Sequence, residues 1–193
     1  MCIRDRQQET YATPPPELAS AVLAPRHLNT TLGSLSPDKK WFLSEVGDGP
    51  VVMATFARPY DELGGVFIDA RANRTHALTT RNNVAIQIIS AADGTRQSLP
   101  LPAGARVSGA TWSPDGSAIA YYVHGADATH IWIADVATLK SRQLTKTPVL
   151  ATMVTSFEFT NGGKQIATVL VPCLLYTSPS PRDRTRYRMP SYA

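Results

Sequence analysis

A short polar turn that leads into an apolar run is the feature that most constrains how this chain can fold. At residues 111–116 the sequence reads Thr-Trp-Ser-Pro-Asp-Gly. Pro114 fixes φ at the second turn position, Asp115 can accept backbone hydrogen bonds, and Gly116 leaves the turn at no steric cost. Apolar and β-branched runs follow at 117–123 and 130–136 and predict short antiparallel strands. One meander of this size cannot bury both of its faces, so it must be repeated or covered.

The turn and its strand recur along the chain. Residues 158–169 repeat 111–122 at an offset of 47, and residues 35–44 repeat the same unit 77 residues earlier. A partial copy at 86–99 fills the gap. Repeated four-stranded units of about 40 residues are typical of β-propeller blades. We therefore expect an all-β chain forming a partial β-propeller of about three to four antiparallel blades.

Both ends of the chain differ from this pattern. Residues 1–6 and 173–183 resemble translated sequencing-adapter DNA, and 184–193 resemble read-through into the same adapter. A natural basic tail is the alternative. The predicted organisation is an adapter-derived segment at 1–6, a Pro-rich irregular or helical lead-in at 7–30, a partial propeller at 31–172 and an adapter-derived disordered tail at 173–193. The repeat count suggests a piece of a longer protein.

The charge balance depends on these ends. The whole chain has 19 Lys and Arg against 15 Asp and Glu, but residues 7–172 contain 13 of each. No nucleic-acid partner is therefore predicted. Both cysteines lie in the end segments, which excludes a disulfide framework or a cysteine metal site within 7–172. The chain has no apolar run long enough for a membrane span. The sequence does not identify the cellular compartment.

The sequence offers few residues for catalysis. It contains no Gly-x-Ser-x-Gly, phosphate-binding Gly-x-x-x-x-Gly-Lys or His-Glu-x-x-His pattern. His124, Asp127 and His130 could suggest a metal site or a triad, but polar loop positions explain them better. The other histidines are His27 and His76. We therefore predict no catalytic residue, no metal ligand and no cofactor site in this chain.

Other polar and aromatic residues have structural interpretations. Four aspartates lie in turns or at a strand end, where their carboxylates can bond the backbone: Asp38, Asp93, Asp115 and Asp135. The tryptophans Trp41, Trp112 and Trp132 recur in strands and are expected in the core. The loop arginines Arg58 and Arg81 are the better functional candidates, because a guanidinium at a propeller rim can grip a peptide carboxylate. A solvated surface role is the alternative for both.

The repeat resembles the one shared by the prolyl oligopeptidase family of serine peptidases and by TolB-type propellers. The pattern that carries the resemblance is Trp-Ser-Pro-Asp-Gly at 112–116, Ile-Trp-Ile-Ala-Asp-Val at 131–136 and Arg-Gln-Leu-Thr at 142–145. Further segments resemble the N-terminal region of the glutamyl endopeptidase-like members. These are Pro-Pro-Glu-Leu at 15–18, Ala-Pro at 24–25, Leu-Ser-Pro-Asp at 35–38, Phe-Ala-Arg-Pro at 56–59, Leu-Gly-Gly-Val-Phe-Ile-Asp at 63–69 and Ser-Phe-Glu at 156–158.

The resemblance implies a parent enzyme in which the propeller gates peptide access to a C-terminal α/β-hydrolase domain with a Ser, Asp and His triad. No triad residue can be assigned in this chain, so the implied partners are the hydrolase domain and, through it, a peptide substrate. The competing prediction is a non-enzymatic, TolB-like propeller that binds a protein partner. A Gly-x-Ser-x-Gly segment further along the gene would distinguish the two.

Overall fold

A computed structural model describes residues 14–23, 33–152 and 156–172. The adapter-like segments and the predicted disordered tail lie outside the described residues, as do His27 and most of the lead-in. Most of the described part of the lead-in is helical, one of the two predicted alternatives: helix α1 spans Pro16–Leu23, and none of its residues is buried. Among the described residues, no helix has the length and apolar character needed to cross a membrane.

The rest of the described chain is built from short antiparallel strands. They are β1 (Trp41–Gly47), β2 (Asp61–Leu63), β3 (Val66–Asp69), β4 (Arg74–Thr75), β5 (Asn83–Ser90), β6 (Arg96–Ser98), β7 (Arg106–Trp112), β8 (Ala118–His124), β9 (Thr129–Asp135), β10 (Ser141–Gln143), β11 (Phe157–Thr160) and β12 (Gln165–Thr168). Two four-residue helices, α2 (Met53–Phe56) and α3 (His76–Thr79), and a 3-10 turn at Asn161–Gly163 interrupt them. The architecture is all-β and is that of a partial β-propeller.

Strands β7 to β10 form one complete blade, which we call the second blade. Its strand order is β10-β9-β8-β7, so every strand pairs with its neighbour in sequence. The first blade contains β1, β5 and β6 in that order, and a bridge between Leu35 and Phe42 adds a short inner segment beside β1. Strands β11 and β12 pair with each other and form the start of a third unit, the third hairpin.

The first blade is interrupted by an insertion, residues 48–82. It carries α2, α3 and a separate sheet in the order β2-β3-β4. By local pattern residues 65–79 are expected in the first blade, because residues 65–69 match β9 in residue type. The structure instead pairs β1 with β5 over seven residue pairs and places β2 to β4 outside that sheet. The insertion connects β1 to β5, whereas the equivalent connection in the second blade, between β8 and β9, consists only of residues 125–128.

The repeated turns explain why successive blades stack in register. In each Ser-Pro-Asp turn the serine hydroxyl donates to the aspartate at 2.6 Å, from Ser36 to Asp38 and from Ser113 to Asp115. A Cβ built on Gly116 would lie 3.4 Å from Pro37 Cδ of the preceding turn. Gly116 also has φ of +73°, a conformation that favours glycine.

Two apolar cores cover the two faces of the second blade. One contains Ile119 and Tyr121 together with Ile86 and Ile88 of the first blade. The other core contains Tyr122 and has Phe157, Phe159 and Ile166 of the third hairpin packed against it. Because successive strand residues point to opposite sides, Ile131 and Ala134 are expected on different faces of β9. Ala134 indeed belongs to the first core and Ile131 to the second. All three tryptophans contribute to the first core, Trp112 as a buried residue and Trp41 and Trp132 packed against it.

Two leucines at equivalent positions of the two blades differ in burial and should therefore differ in their contribution to stability. Leu99 is 3% exposed, whereas Leu144, which makes the same backbone hydrogen bond in the second blade, is 36% exposed. We expect Leu99→Ala to lower the free energy of unfolding by about 3 kcal/mol and Leu144→Ala by less than about 1 kcal/mol. Urea denaturation of both variants measures the difference. Equal losses would contradict the assigned core.

Candidate functional site between the insertion and the second blade

The most buried polar cluster of the described chain lies in the insertion. Asp69 ends β3 and faces Arg74 at the start of β4, and both are at most 2% exposed. Thr79 in α3 connects them, since its hydroxyl donates to Asp69 Oδ2 at 2.6 Å and accepts from Arg74 Nε at 2.9 Å. Because an unpaired buried charge is costly, each group in this cluster depends on the others.

Two arginines extend the cluster to the loop between β8 and β9. Arg74 Nη1 donates to the carbonyl of Gly125 at 2.8 Å and more weakly to that of Ala128 at 3.4 Å. Arg58 Nη2 lies 3.3 Å from Asp69 Oδ2 and donates to the carbonyl of Ala126 at 2.9 Å. We call these side chains and residues 125–128 the clamp. It fixes the insertion against the second blade.

Backbone pairing supports the clamp from a second direction. Thr75 N donates to the carbonyl of Ala151 at 2.9 Å, and Ala151 N donates to that of Asn73 at 2.9 Å. The segment around Ala151 connects the second blade to the third hairpin, and Val149 in that segment donates to the carbonyl of Thr129 beside the 125–128 loop. Both attachments of the insertion thus lie at the same end of the second blade. The position of the insertion is therefore determined by directed hydrogen bonds.

The electrostatics of the clamp favour a fixed structure over proton transfer. Burial lowers the pKa of Arg74, with the nearby Asp69 carboxylate opposing that effect. An arginine nevertheless stays protonated in proteins. Two guanidinium groups, from Arg58 and Arg74, therefore share one buried carboxylate, and backbone carbonyls accept the remaining hydrogen bonds.

His124 lies beside the clamp in an arrangement that resembles a catalytic dyad. Its Nε2 is 2.8 Å from Ser108 Oγ, and its Nδ1 is 3.0 Å from Thr129 Oγ1. All three residues are at most 5% exposed, and a threonine hydroxyl replaces the carboxylate of a triad. Burial, with help from the charges of Arg74 and Arg81, lowers the pKa of His124 to about 3. A base that weak does not activate a serine near neutral pH, so this is a structural network.

The histidines and the loop aspartate do not converge. His130 Nδ1 lies 3.0 Å from the carbonyl of Thr145, and His76 packs against Tyr60 with ring centroids 4.5 Å apart. Asp127 instead pairs with Arg71 at the surface. Within residues 14–23, 33–152 and 156–172 no group of three His, Cys, Asp or Glu side chains could hold a metal ion.

The four aspartates have the structural roles that the sequence suggested. Each accepts hydrogen bonds from its own turn, as Asp115 does from Ser117 N at 3.1 Å and Asp135 from Thr138 N at 2.7 Å. Side-chain hydrogen bonds are the largest cause of their lowered pKa values, about 2 for Asp93 and Asp115 and in the same direction for Asp38 and Asp135.

The two candidate arginines have different surroundings. Arg58 belongs to the clamp and lines a surface cavity of about 300 Å³ with Tyr60 and Arg71. Arg81 is exposed, and its proposed grip on a peptide carboxylate stays a prediction. Sequence reasoning missed Asp69 and Arg74 as a pair. Their separation of five positions around a tight turn was the available indication, but their burial depends on the distant 125–128 loop.

An exposed aromatic surface borders the same cavity. Tyr60 contacts Phe67 edge to face with centroids 5.3 Å apart, and Phe56 lies 6.2 Å from the His76 ring. Phe56, Tyr60 and Phe67 are all about half exposed. We call Phe56, Tyr60, Phe67 and His76 the aromatic surface. It could contact apolar side chains of a bound protein or peptide.

Comparison with known proteins places the chain near plant proteins named as peptidases. It is 31% identical over 148 residues to the probable chloroplastic glutamyl endopeptidase of Oryza sativa subsp. japonica, covering 72% of this chain and 15% of that protein. The protein of the same name from Arabidopsis thaliana is also 31% identical, over 145 residues, with 69% and 14% covered. The chain thus spans about 15% of the length of these relatives. No family model matches it.

Among solved structures, TolB from Acinetobacter baumannii superposes with a TM-score of 0.33 and 12% sequence identity. The superposition covers 69% of this chain and 39% of TolB. Because the superposition is loose, the blade assignment rests on the sheet topology and the repeated turns described above.

Removing the central cation of the clamp should destabilise the protein. We expect Arg74→Met to lower the free energy of unfolding by about 3 kcal/mol, because it leaves two carbonyls and Thr79 without their buried donor. The matched control is Arg71→Met, which breaks a solvent-exposed ion pair and should cost less than about 1 kcal/mol. Denaturant titrations of both variants measure this, and similar losses would show that the clamp contributes little.

The buried neutral His124 should make stability depend on pH. The unfolded chain takes up a proton near pH 6.5, whereas the native ring does so only near pH 3, so acidification between these values favours unfolding. We expect stability to fall by up to about 1.4 kcal/mol per pH unit from this residue. Urea denaturation between pH 7 and pH 4 should show a shallower fall in His124→Gln than in His130→Gln, the matched control. Parallel curves would contradict the buried neutral ring.

Proposed function

We propose that this chain is a non-catalytic propeller portion of a serine peptidase of the prolyl oligopeptidase family. In this proposal the propeller gates peptide access to an α/β-hydrolase domain encoded elsewhere in the same polypeptide. The observation that carries it is the 31% identity, over 148 and 145 residues, to two proteins named as probable chloroplastic glutamyl endopeptidases. The blade topology of the described residues supports the same proposal.

The buried polar groups support a role without chemistry in the chain itself. Ser108 and His124 are hydrogen-bonded to each other but enclosed. The lowered pKa of His124 makes its ring too weak a base to activate the serine. The clamp is likewise occupied by internal partners. These residues provide a wall of fixed shape, which a size-selective gate requires, because a wall that opened freely would admit large polypeptides.

The clamp would be the part of this chain that keeps the gate closed. It joins the insertion to the second blade through Arg58 and Arg74, and the paired backbone at Ala151 adds a second attachment. Loss of Arg74 would loosen the insertion without touching any reacting atom. The expected consequence is altered size selection with unchanged chemistry.

A second candidate function is a non-enzymatic propeller that binds a protein partner. The aromatic surface favours it, since apolar rings left exposed on an insertion frequently mark an interaction site. Under this alternative the complete gene would encode further blades and no nucleophile segment.

Recovering the uninterrupted gene and assaying its product tests the proposal. A frame containing Gly-x-Ser-x-Gly followed by Asp and His, with serine-dependent hydrolysis of short glutamyl peptides, is the expected result, and a Ser→Ala variant of that segment is the inactive control. Glutamine-containing peptides test the glutamyl preference. A frame without that segment, or a product without peptidase activity, would favour the binding propeller.

The gating role has its own test in the same whole protein. We expect Arg74→Met to keep kcat/KM for a short peptide within about twofold while raising cleavage of a large unfolded protein by at least about threefold. Arg71→Met is the matched control and should leave both rates unchanged. If Arg74→Met leaves the ratio of the two rates unchanged in an active enzyme, the peptidase assignment stands and the gating role fails.

A further inference from the structure

The third of the repeated turns differs chemically from the first two. The turns at 36–38 and 113–115 both read Ser-Pro-Asp, whereas the equivalent residues 160–162 read Thr-Asn-Gly. Asn161 therefore stands where the other turns have a proline, and Gly162 where they have an aspartate that accepts hydrogen bonds from its own turn. The third turn thus contains an asparagine followed by a glycine, a pair whose side-chain and backbone amides can react with each other.

Both members of this pair are open to solvent. Asn161 and Gly162 are exposed, and a Cβ built on Gly162 would have no atom within 4 Å beyond its immediate neighbours in the chain. Among the described residues, no group forms a hydrogen bond with the Asn161 carboxamide. The carboxamide can therefore rotate towards the Gly162 nitrogen, and water can reach both groups.

The turn also activates the backbone amide that joins the two residues. Lys164 N donates to the Asn161 carbonyl at 3.3 Å. That carbonyl belongs to the same amide as the Gly162 nitrogen, so this hydrogen bond stabilises the negative charge that appears when the nitrogen loses its proton. The deprotonated nitrogen is a nucleophile, and attack on Asn161 Cγ closes a five-membered ring.

We propose that Asn161 is a site of spontaneous deamidation whose product loosens the third hairpin. Hydroxide removes the Gly162 amide proton, the nitrogen forms a bond with Asn161 Cγ, and the bond from Cγ to the side-chain nitrogen breaks. Ammonia leaves after taking a proton from water. Water then adds to either carbonyl of the cyclic imide and breaks its carbon–nitrogen bond, which gives aspartate or isoaspartate. Nothing is oxidised or reduced, and the reaction does not depend on the peptidase proposal.

Asn73 provides an internal comparison. It is also exposed, and its φ of +50° is almost the same as the +51° of Asn161. The residue after Asn73 is Arg74, which is 2% exposed and fixed in the clamp, and the Asn73 carbonyl accepts a hydrogen bond from Ala151 N. A buried side chain beside the attacking nitrogen and a paired backbone both hinder ring closure. We therefore expect Asn73 to be stable where Asn161 reacts.

The position of the turn gives the reaction a structural consequence. Isoaspartate adds one methylene group to the main chain within residues 161–164, which connect the paired residues Thr160 and Gln165. Gly163 in this turn approaches Pro114 closely, with a built Cβ 3.2 Å from Pro114 Cδ. A longer turn cannot keep both this contact and the strand register. The third hairpin should consequently pack less tightly against the second blade.

The reaction can be followed in the complete 193-residue protein. The protein is held in mildly alkaline heavy-oxygen water and digested for mass spectrometry at intervals. We expect Asn161 to exchange its NH2 for a hydroxyl group that carries the heavy oxygen, with isoaspartate as the main product, at least about tenfold faster than Asn73 does. The rate should rise with pH, because the attacking nitrogen must lose its proton.

Two variants and a matched control test the assigned mechanism. Asn161→Gln keeps the carboxamide but requires a six-membered ring, and Gly162→Ala places a methyl group beside the nucleophile, so each should slow the reaction at least about tenfold. The control is Gly94→Ala. Gly94 has a φ of +72°, against +64° for Gly162, and equally open surroundings. This substitution imposes similar strain in another turn and should leave the rate at Asn161 unchanged.

Amide exchange tests the structural consequence. In the isoaspartate form, exchange at residues 157–160 and 165–168 should be at least about threefold faster than in the fresh protein. Asn161→Gln incubated in parallel should keep its original exchange rates. Equal deamidation of Asn161 and Asn73, or an unchanged rate in both slowed variants, would overturn the modification site. Unchanged exchange in the isoaspartate form would overturn the loosening of the hairpin.

Discussion

The structure depends on one sheet that is buried on both faces. Tyr121 and Tyr122 are consecutive in β8, point to opposite sides, and are 0% and 4% exposed. Each ring belongs to a different core, one shared with the first blade and the other with the third hairpin. Burial raises the pKa of both phenols, so both stay neutral at physiological pH. The second blade is therefore stable only between two neighbours, and this is the physical reason for the repeat.

The turns set the spacing between those neighbours. Proline in one turn packs against glycine in the next, from Pro37 to Gly116 and from Pro114 to Gly163. A Cβ at Gly163 would lie 3.2 Å from Pro114 Cδ, closer than most such contacts, so the glycine allows the close approach. In the first two turns the serine and aspartate bond to one another, Ser36 to Asp38 and Ser113 to Asp115, and leave these surfaces free to stack.

The sequence was sufficient to predict the blades, but it did not predict the full extent of the insertion or its separate sheet. Turn residues and alternating apolar strands act over a few residues, so the second blade, its faces and its tryptophans could be identified directly. Strand β3 has the same local character as β9, and only long-range pairing of β1 with β5 excludes it from the first blade. Local patterns do not encode that pairing, because it depends on which distant edge is free.

The candidate site was harder to predict for a related reason. Arg58 was recognisable as a loop arginine, but its role is set by Asp69 and by the carbonyl of Ala126, which lie far away in sequence. Burial of Arg74 likewise requires the carbonyl of Gly125. Charge patterns in sequence cannot distinguish a cation that awaits a ligand from one that already has internal partners.

The composition of the insertion explains why a polar clamp holds it. Only Ala72 and Leu78 are buried apolar residues there, whereas Asp69, Arg74 and Thr79 are buried polar ones. An apolar contact this small would allow the insertion to slide or rotate, because burial of apolar area is not directional. Hydrogen bonds from fixed guanidinium groups specify one orientation, even where they add little net stability. The aromatic surface of the insertion is consequently presented at a defined angle to the second blade.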